Sequence, residues 1–228
     1  AVNRAITKIV VPTPEAVPML LRNIKCSNVR VIWNGIEVDF FSSTERAPRR
    51  DSSLRVAMVG SLIPVKNHSL AIEALLLLRE RIKGAKLYIC GVGSMEQTLR
   101  CLASELGLEQ SVIFKGMCFD IPVFLSEMDV FWMTSHYEGN SIAFLEAVAS
   151  GIPCVVTDVP GLGSFARYLN SGTVVPPNDP EALAAATLKL WSSKSVYRKF
   201  SLRASSVGLR EFNVDRMVEE YENVYRLL

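Results

Sequence analysis

The sequence predicts an α/β fold, a doubly wound parallel sheet with helices on both faces. From residue 54 onward, short apolar and β-branched segments alternate with longer segments that have the apolar spacing of helices. This alternation is typical of such a sheet. The chain has 228 residues, of which 49% are hydrophobic and 21% charged, with thirteen Gly and eleven Pro. This composition excludes a mainly disordered, fibrous or low-complexity protein.

The individual elements are predicted in chain order from their length and pattern. Short continuous apolar segments, such as LRVAMVG at 54–60, indicate strands that are buried on both faces. Strands are predicted at 54–60, 86–91, 111–116, 129–135, 153–158 and 172–177. Helices are predicted at 68–82, 94–107, 121–128, 141–151, 180–192, 195–208 and 213–227, with a break around Gly208 between the last two.

Residues 1–53 do not continue this alternation. They contain two further predicted strands, at 5–13 and 28–35, and a short helix at 15–23 that Pro18 makes less favourable. The polar and charged segment 42–53 is predicted to be a linker. Two strands cannot bury both of their faces alone, so this part of the chain needs the following domain or a partner outside the chain.

The net charge and the cysteine positions limit the kinds of function and location that fit this sequence. Lys and Arg total 25 against 23 Asp and Glu, a net charge of +2 that gives no indication of nucleic-acid binding. The five cysteines are widely spaced and lie mostly in apolar segments, which predicts buried free thiols in a reducing compartment. Zinc-ligand spacing and Asp-x-Asp pairs are absent, so no metal is predicted. No apolar stretch reaches about 18 residues and the first residues lack a signal-peptide pattern, which predicts a cytoplasmic location.

The segment 135–158 contains the strongest candidate site. Glu138 follows a predicted strand, and Asn140 or Ser141 can cap the next helix, whose first N–H groups then form a phosphate-binding end. Glu146 lies within that otherwise apolar helix, so its charge must reach solvent, a cation or hydroxyl donors such as those of a sugar. The alternative, of about equal weight from the helix pattern, is that Glu146 reaches solvent and Glu138 is an ordinary loop acid.

A second candidate site lies in the loop 60–67. Lys66 precedes a helix that Asn67 or Ser69 can cap, and a cation beside a helix start is unfavourable unless an anion is near. A diphosphate is one such anion, and a solvated lysine is the alternative. Because the carboxyl ends of parallel strands share one edge, this loop is expected beside loop 136–141 and the turns 91–93 and 116–118. The first of these turns lacks the third glycine of a dinucleotide fingerprint.

These segments, taken in order, resemble the C-terminal half of a retaining glycosyltransferase of family 4, which has two Rossmann-like domains in the GT-B arrangement. The resemblance covers nearly the whole chain. It includes the Glu-x7-Glu signature from Glu138 to Glu146 in EGNSIAFLE. The other matching segments are VIWNGIEVDFF at 31–41, VGSLIPVKNH at 59–68, the strand, helix and strand at 87–116, VVPPNDPEALAAAT at 174–187 and NVDRMVEEYENVY at 213–225.

The resemblance implies four parts of the chain. Residues 1–41 would be a remnant of the N-terminal domain with the crossover, and residues 42–53 the linker. Residues 54–212 would form the nucleotide-sugar-binding domain, and residues 213–228 the helix that crosses back.

It also implies residue roles. Lys66 would contact the donor diphosphate, Glu138 the transferred sugar and Glu146 the ribose hydroxyls, with Lys66 and Glu138 taking part in catalysis. Transfer would retain the anomeric configuration by front-face attack, and a lysine and helix N-termini could stabilise the leaving phosphate without a metal or other cofactor. The remaining donor-binding residues would be Ser61, Gly116, Met117, Gly139, Asn140, Ser141 and Ile142.

The implied partners are a nucleotide sugar, a saccharide or lipid-linked acceptor, and the missing N-terminal domain. The implied process is polysaccharide or glycolipid biosynthesis, in the cytoplasm or peripheral to the inner membrane face. Two departures favour an alternative, a non-catalytic nucleotide or nucleotide-sugar binding module: Ser61 stands where the family usually has Arg, and most of the first domain is absent. A third alternative is a two-domain nucleotide-sugar epimerase, which the ordered motifs fit less well.

Overall fold

A six-stranded parallel sheet forms the centre of the molecule. The structure is a computed structural model that describes residues 8–22, 28–41 and 53–227, and along 203–211 the helical backbone alone. The strands of this sheet are β3 (Arg55–Val59), β4 (Lys86–Cys90), β5 (Val112–Gly116), β6 (Val130–Met133), β7 (Cys154–Thr157) and β8 (Gly172–Val175). They lie in the order β5-β4-β3-β6-β7-β8, and every neighbouring pair is parallel.

Eight α-helices follow residue 53 in the described chain, and six of them cover the two faces of this sheet. Helices α2, α3 and α7 pack on one face, and α4, α5 and α6 pack on the other. The helices are α2 (His68–Arg81), α3 (Glu96–Glu105), α4 (Ile121–Ser126), α5 (Ile142–Ala149), α6 (Gly163–Leu169), α7 (Pro180–Ser192), α8 (Lys194–Glu211) and α9 (Val214–Tyr225). The predicted doubly wound α/β fold is confirmed.

The small unit pairs β1 (Ile9–Val11) with β2 (Val29–Val31) in parallel, with α1 (Ala16–Leu21) between them. Pro18 is the third residue of α1, in the first turn, where a missing N–H removes no intrahelical hydrogen bond. The helix therefore tolerates it. The predicted linker, apart from its last residue, lies outside the described residues.

Three polar groups within the core have specific partners. The buried Trp132 on β6 donates its indole N–H to Thr187 Oγ1 at 2.8 Å, and that hydroxyl donates in turn to the Leu183 carbonyl at 2.8 Å. Tyr197, also buried, donates to the Asp129 carbonyl at 2.8 Å. These bonds connect α7 and α8 to β6 and the residue before it. Breaking one of them would leave a buried donor without a partner, which is costly.

Two elements in the second half of the chain differ from the prediction. Helix α6 forms where no helix is predicted, because burial of its apolar side chains against the core outweighs the low helix propensity of Gly163. The break before α9 was expected at Gly208, yet α8 continues through that residue to Glu211. A single glycine costs a helix about 1 kcal/mol and does not end it. The break comes at Phe212 and Asn213, where the Asn213 side chain caps α9.

The cysteines also differ from the expectation of buried free thiols. The structure joins Cys90, at the end of β4, to Cys118, just after β5, with 5.8 Å between their Cα atoms. Cys90 pairs with Gly116 across the two strands, so the sheet brings together residues that are 28 apart in sequence. Cys154 is free and buried, Cys101 is free and exposed, and Cys26 lies outside the described residues. Among the described helices, none is long and apolar enough to cross a membrane.

Candidate functional site

The candidate site lies at the carboxyl ends of β3 and β6. Strand β3 has β4 on one side and β6 on the other, so the chain winds away from β3 in both directions. Open α/β sheets bind their ligands in the crevice at such a switch point. The loops after β3 and β6 carry Lys66 and Glu138, the two residues that the sequence singled out.

These two side chains are in direct contact. Lys66 Nζ donates to Glu138 Oε1 at 2.6 Å, and Ser135 Oγ donates to the same oxygen at 2.6 Å. The Glu138 side chain is only 8% exposed and that of Lys66 is 24% exposed, so the pair is shielded on one side and open on the other. The anion that Lys66 was expected to need is supplied, in this structure, by the protein itself.

The loops that carry the pair are tied to each other. Thr134 Oγ1 donates to the carbonyl oxygens of Lys66 at 3.0 Å and Asn67 at 2.8 Å, and the backbone N–H of His136 donates to Val65 at 2.8 Å. Asn67 does not cap α2 through its side chain; it has a left-handed backbone with φ of 49°. These bonds fix Lys66 relative to the end of β6, so its position does not depend on the ion pair alone.

Gly91, at the same edge of the sheet, occupies a position that has no room for a side chain. A Cβ atom at this position would lie 1.9 Å from the carbonyl oxygen of Gly60. The turn after β4 can therefore approach the loop after β3 only without a side chain. The Gly91-Val92-Gly93 pattern thus reflects close backbone packing in this chain.

Helix α5 begins beside Glu138. Ser141 is its N-cap, with its side chain accepting from the Phe144 N–H at 3.4 Å, which settles the choice between Asn140 and Ser141. The first N–H groups of a helix have no partner within it, so those at Ile142 and the next residue remain available to a ligand. Gly139 precedes them in a half-buried position, with no atom within 4 Å of where a Cβ would lie.

Asn140 is buried and held by a residue that is not among the predicted site residues. The backbone N–H of Asn34 donates to Asn140 Oδ1 at 2.8 Å, and Asn34 Nδ2 donates to the Asn140 carbonyl at 2.7 Å. Asn34 lies in the matching segment at 31–41 and Ser135 lies just before Glu138, but no spacing rule connects either of them with residues 138–142. Only the folded chain does so.

Glu146 lies one turn after Ile142 on α5 and is half-buried. Burial raises the pKa of its carboxyl group to about 7, because desolvation disfavours the charged form. Residues four apart share a face of a helix, so Glu146 lies on the face of the exposed Ile142. This carboxyl group is therefore available to a hydroxyl donor, as the sequence suggested, although no contact joins it to Lys66 or Glu138 among the described bonds.

The turn after β5 is farther along the same edge. Gly116 has φ of +68°, and its carbonyl accepts from the Gly91 N–H at 2.7 Å. Met117 is 61% exposed and borders an open cleft of about 340 Å³, together with the exposed Phe119. The predicted site residue Ser61 is exposed in the loop after β3.

One buried group near the site has no assigned role. His68 begins α2, and burial, followed by the charge of Lys66, lowers its pKa to about 4. Its Nδ1 atom has no hydrogen-bond partner in the described part of the chain. No group of three or more metal-ligating side chains occurs within the described ranges.

The fold is that of one half of the two-domain GT-B glycosyltransferases. Anabaena HepE in complex with UDP-glucose superposes with a TM-score of 0.86 at 17% identity, covering 99% of this chain and 65% of that one. TarM from S. aureus, in a complex that includes UDP, superposes with a TM-score of 0.84 at 21% identity, covering 98% and 44%.

Sequence similarity then identifies the family. Residues 41–207 match Glycosyl transferases group 1, and the chain belongs to this family. It is 33% identical over 160 residues to the putative glycosyltransferase EpsD of Bacillus subtilis, covering 70% of this chain and 42% of that protein. It is 26% identical over 208 residues to an Escherichia coli UDP-Gal:alpha-D-GlcNAc-diphosphoundecaprenol alpha-1,3-galactosyltransferase, covering 86% and 54%. The chain thus spans about half the length of these relatives.

Proposed function

We propose that this chain is the donor-binding half of a retaining glycosyltransferase, which transfers a sugar from a nucleotide sugar to a saccharide or lipid-linked acceptor. The observation that carries the proposal is the contact of Lys66 with Glu138 beside the start of α5. One residue comes from each of two loops, and the pair lies at the switch point where sheets of this kind bind ligands.

The donor diphosphate would lie between Lys66 and the N-terminus of α5. Both are positive, and both can stabilise charge that develops on the leaving phosphate as the sugar bond breaks. Binding of the phosphate would take over Lys66 from Glu138, and Glu138, still held by Ser135, could then accept hydrogen bonds from hydroxyls of the transferred sugar. Lys66 and Glu138 are therefore our candidates for catalysis.

The rest of the donor would extend along the edge of the sheet. The ribose hydroxyls would donate to Glu146, and the base would lie against the backbone of Gly116 and Met117. The backbone N–H groups at Asn140, Ser141 and Ile142 would meet the phosphate and sugar. A lysine and helix N–H groups supply positive charge without a metal, so we expect no metal dependence.

The acceptor would bind to an N-terminal domain, of which we propose that residues 1–41 are a part. Residues 42–53 would then be the linker, 54–212 the donor-binding domain and 213–228 the returning helix. The E. coli relative named above acts on a diphosphoundecaprenol-linked sugar, which supports a lipid-linked acceptor and a role in polysaccharide or glycolipid biosynthesis. We therefore place the whole enzyme in the cytoplasm, peripheral to the inner membrane face.

Calorimetric titration of the purified chain tests donor binding. The ligands are UDP, UDP-glucose and the corresponding ADP, GDP and dTDP compounds, each with and without magnesium. We expect saturable, magnesium-independent binding of at least one nucleotide sugar. Absence of binding across the whole panel would overturn the proposal.

The second candidate function, a non-catalytic nucleotide or nucleotide-sugar binding module, has one specific observation in its favour. Ser61 occupies the position at which the resemblance implies an arginine, so one of two diphosphate cations is missing. The two functions differ in turnover. The full-length protein with a complete cleft should hydrolyse or transfer the sugar if it is an enzyme, and should only bind the donor if it is a module.

A further inference from the structure

Asn34 holds residues 138–142, the donor loop. Its two hydrogen bonds to Asn140 run in both directions, one from its backbone to a side chain and one from its side chain to a backbone carbonyl. The two residues are 106 positions apart in sequence. A reciprocal pair of this kind fixes both the position and the orientation of the loop at residue 140.

Asn34 can hold the loop because its own backbone is fixed on both sides. The Trp33 ring stacks on Phe165 with 4.7 Å between the ring centroids. On the other side, a Cβ atom on Gly35 would lie 2.6 Å from Val214 Cα, and the Val214 N–H donates to the Ile36 carbonyl at 2.9 Å. The segment 33–36 is thus packed between α6 and the start of α9, and forms a rigid anchor.

The donor loop needs such an anchor at this point. Gly139 has no side chain to pack, with open space where a Cβ would lie; its carbonyl oxygen lies against the turn at Gly161, where an added Cβ would be 3.1 Å away. Asn140 is only 6% exposed, and its Nδ2 atom has no partner among the described residues. Burial of that amide costs free energy, which the two bonds to Asn34 offset. These bonds add a restraint at residue 140 that the glycine before it does not supply.

We propose that Asn34 is a positioning residue for the donor. It holds residue 140 so that Glu138 on one side and the first N–H groups of α5 on the other face the same ligand, the sugar diphosphate. The inference rests on the proposed function, since it assigns a ligand to the loop. The expected effect is preorganisation, because a loop that is already ordered loses less conformational entropy when the ligand binds.

Two variants separate this role from simple packing. Asn34→Ala removes the side-chain donor, and Asn34→Asp keeps the size but places a carboxylate oxygen opposite the Asn140 carbonyl. Asn213→Ala is the matched control, because it removes the cap of α9 beside Gly35 without touching the donor loop. If Asn34 only filled space, Asn34→Asp would behave as the wild type.

The first measurement is hydrogen–deuterium exchange of the peptide covering 136–143 in the free protein. Both Asn34 variants should exchange faster in this peptide than the wild type and Asn213→Ala, with the strands of the large sheet unchanged. Unchanged exchange in both variants would overturn the proposal. This measurement needs no ligand, so it decides whether Asn34 holds the loop even if the proposed function fails.

The second measurement compares the affinities for UDP-glucose and UMP. Loss of one hydrogen bond from the loop should weaken UDP-glucose binding roughly three- to tenfold. UMP, which lacks the second phosphate and the sugar, should bind within about twofold of the wild type. An equal loss for both ligands would indicate a general structural defect and contradict the proposal. If the wild type binds neither ligand and no other nucleotide or nucleotide sugar of the panel, the proposed function itself would be overturned.

Discussion

At the scale of single residues, the candidate site depends on whether the Lys66 ammonium group pairs with Glu138 or with a bound diphosphate. In the free protein it pairs with the nearly buried Glu138, and a donor diphosphate would compete for the same ammonium group. Removing one member of a shielded ion pair leaves the other without compensation. A substitution at Lys66 therefore affects both ligand binding and the free protein, and an experiment has to separate the two effects.

Substitution of Lys66 should weaken donor binding. Lys66→Ala and Lys66→Gln should each weaken UDP-glucose binding by about 1.5–3 kcal/mol, the range for hydrogen bonds to charged groups. Lys86→Ala is the matched control, because Lys86 is an exposed lysine at the opposite, amino-terminal end of β4. Calorimetry measures affinity and chemical denaturation measures stability. Unchanged affinity in folded Lys66 variants would contradict the assignment.

Glu146 should make both stability and binding depend on pH. Its pKa is raised from an ordinary value of 4.5 to about 7, so the folded state holds a proton that the unfolded state has released. The free energy of unfolding should therefore fall as the pH rises from about 4.5 to about 7. UDP-glucose, whose hydroxyls need the carboxylate as acceptor, should bind more tightly as the pH rises through about 7.

The Glu146→Gln variant is the control for this pH dependence. Its side chain has nearly the same size but does not titrate, so the curves of stability and of UDP-glucose affinity against pH should both lose the step that Glu146 contributes. UDP-glucose is preferred to UDP, because its diphosphate has no terminal phosphate group that titrates near pH 6. A step of the same size in wild type and variant would show that another group is responsible.

Ser61 offers a gain-of-function test. The side chain is exposed, so an arginine can be accommodated there without displacing the core. Ser61→Arg should tighten UDP-glucose binding, and more so at low salt, since a guanidinium group can contact phosphate through two N–H groups. Ser61→Glu should weaken it. Equal affinities of both variants in titrations at 50 and 300 mM salt would mean that the loop lies away from the phosphates.

At the scale of elements, the sequence predicts what depends on local pattern and misses what depends on packing between distant segments. The apolar strands and the main helices follow from continuous or periodic burial, and the edge shared by Lys66 and Glu138 follows from the rule for parallel sheets. Helix α6 exists because Phe165 and its neighbours are buried, and the contacts of Glu138 with Ser135 and of Asn140 with Asn34 depend on side-chain geometry. None of these has a local signature.

The close packing of two turns can be tested at Gly91. Gly91→Ala should destabilise the fold by about 2–4 kcal/mol, because the added methyl group would overlap the Gly60 carbonyl and force the turns after β3 and β4 apart. Gly139→Ala, at a position with open space, should change stability by no more than about 0.5 kcal/mol. Urea denaturation measures both. Similar stability of the two variants would show that the turns can separate at little cost.

At the scale of the whole molecule, the small unit of β1, α1 and β2 leaves apolar surface uncovered. Leu21 is 43% exposed and Met19 is 53% exposed. Other apolar side chains of this unit are half-buried, namely Ile9, Val10, Leu20 and Val31. A two-stranded sheet with one short helix has too little material to bury these side chains itself. This surface is where we expect the rest of the proposed N-terminal domain to pack.

The last prediction is that the 228-residue chain alone transfers no sugar. A retaining transferase has to hold donor and acceptor in one cleft with little water, and the chain spans about half of its relatives. Without the proposed domain that orients the acceptor, the reaction loses the effect of positioning, which can lower the activation barrier by about 7–11 kcal/mol. Transfer should then fall below detection even where the donor binds. The assay incubates the chain with UDP-glucose and a range of saccharide and lipid-linked acceptors, and follows release of UDP. Turnover that Glu138→Gln abolishes would contradict this prediction, because a complete active site would then lie within these residues.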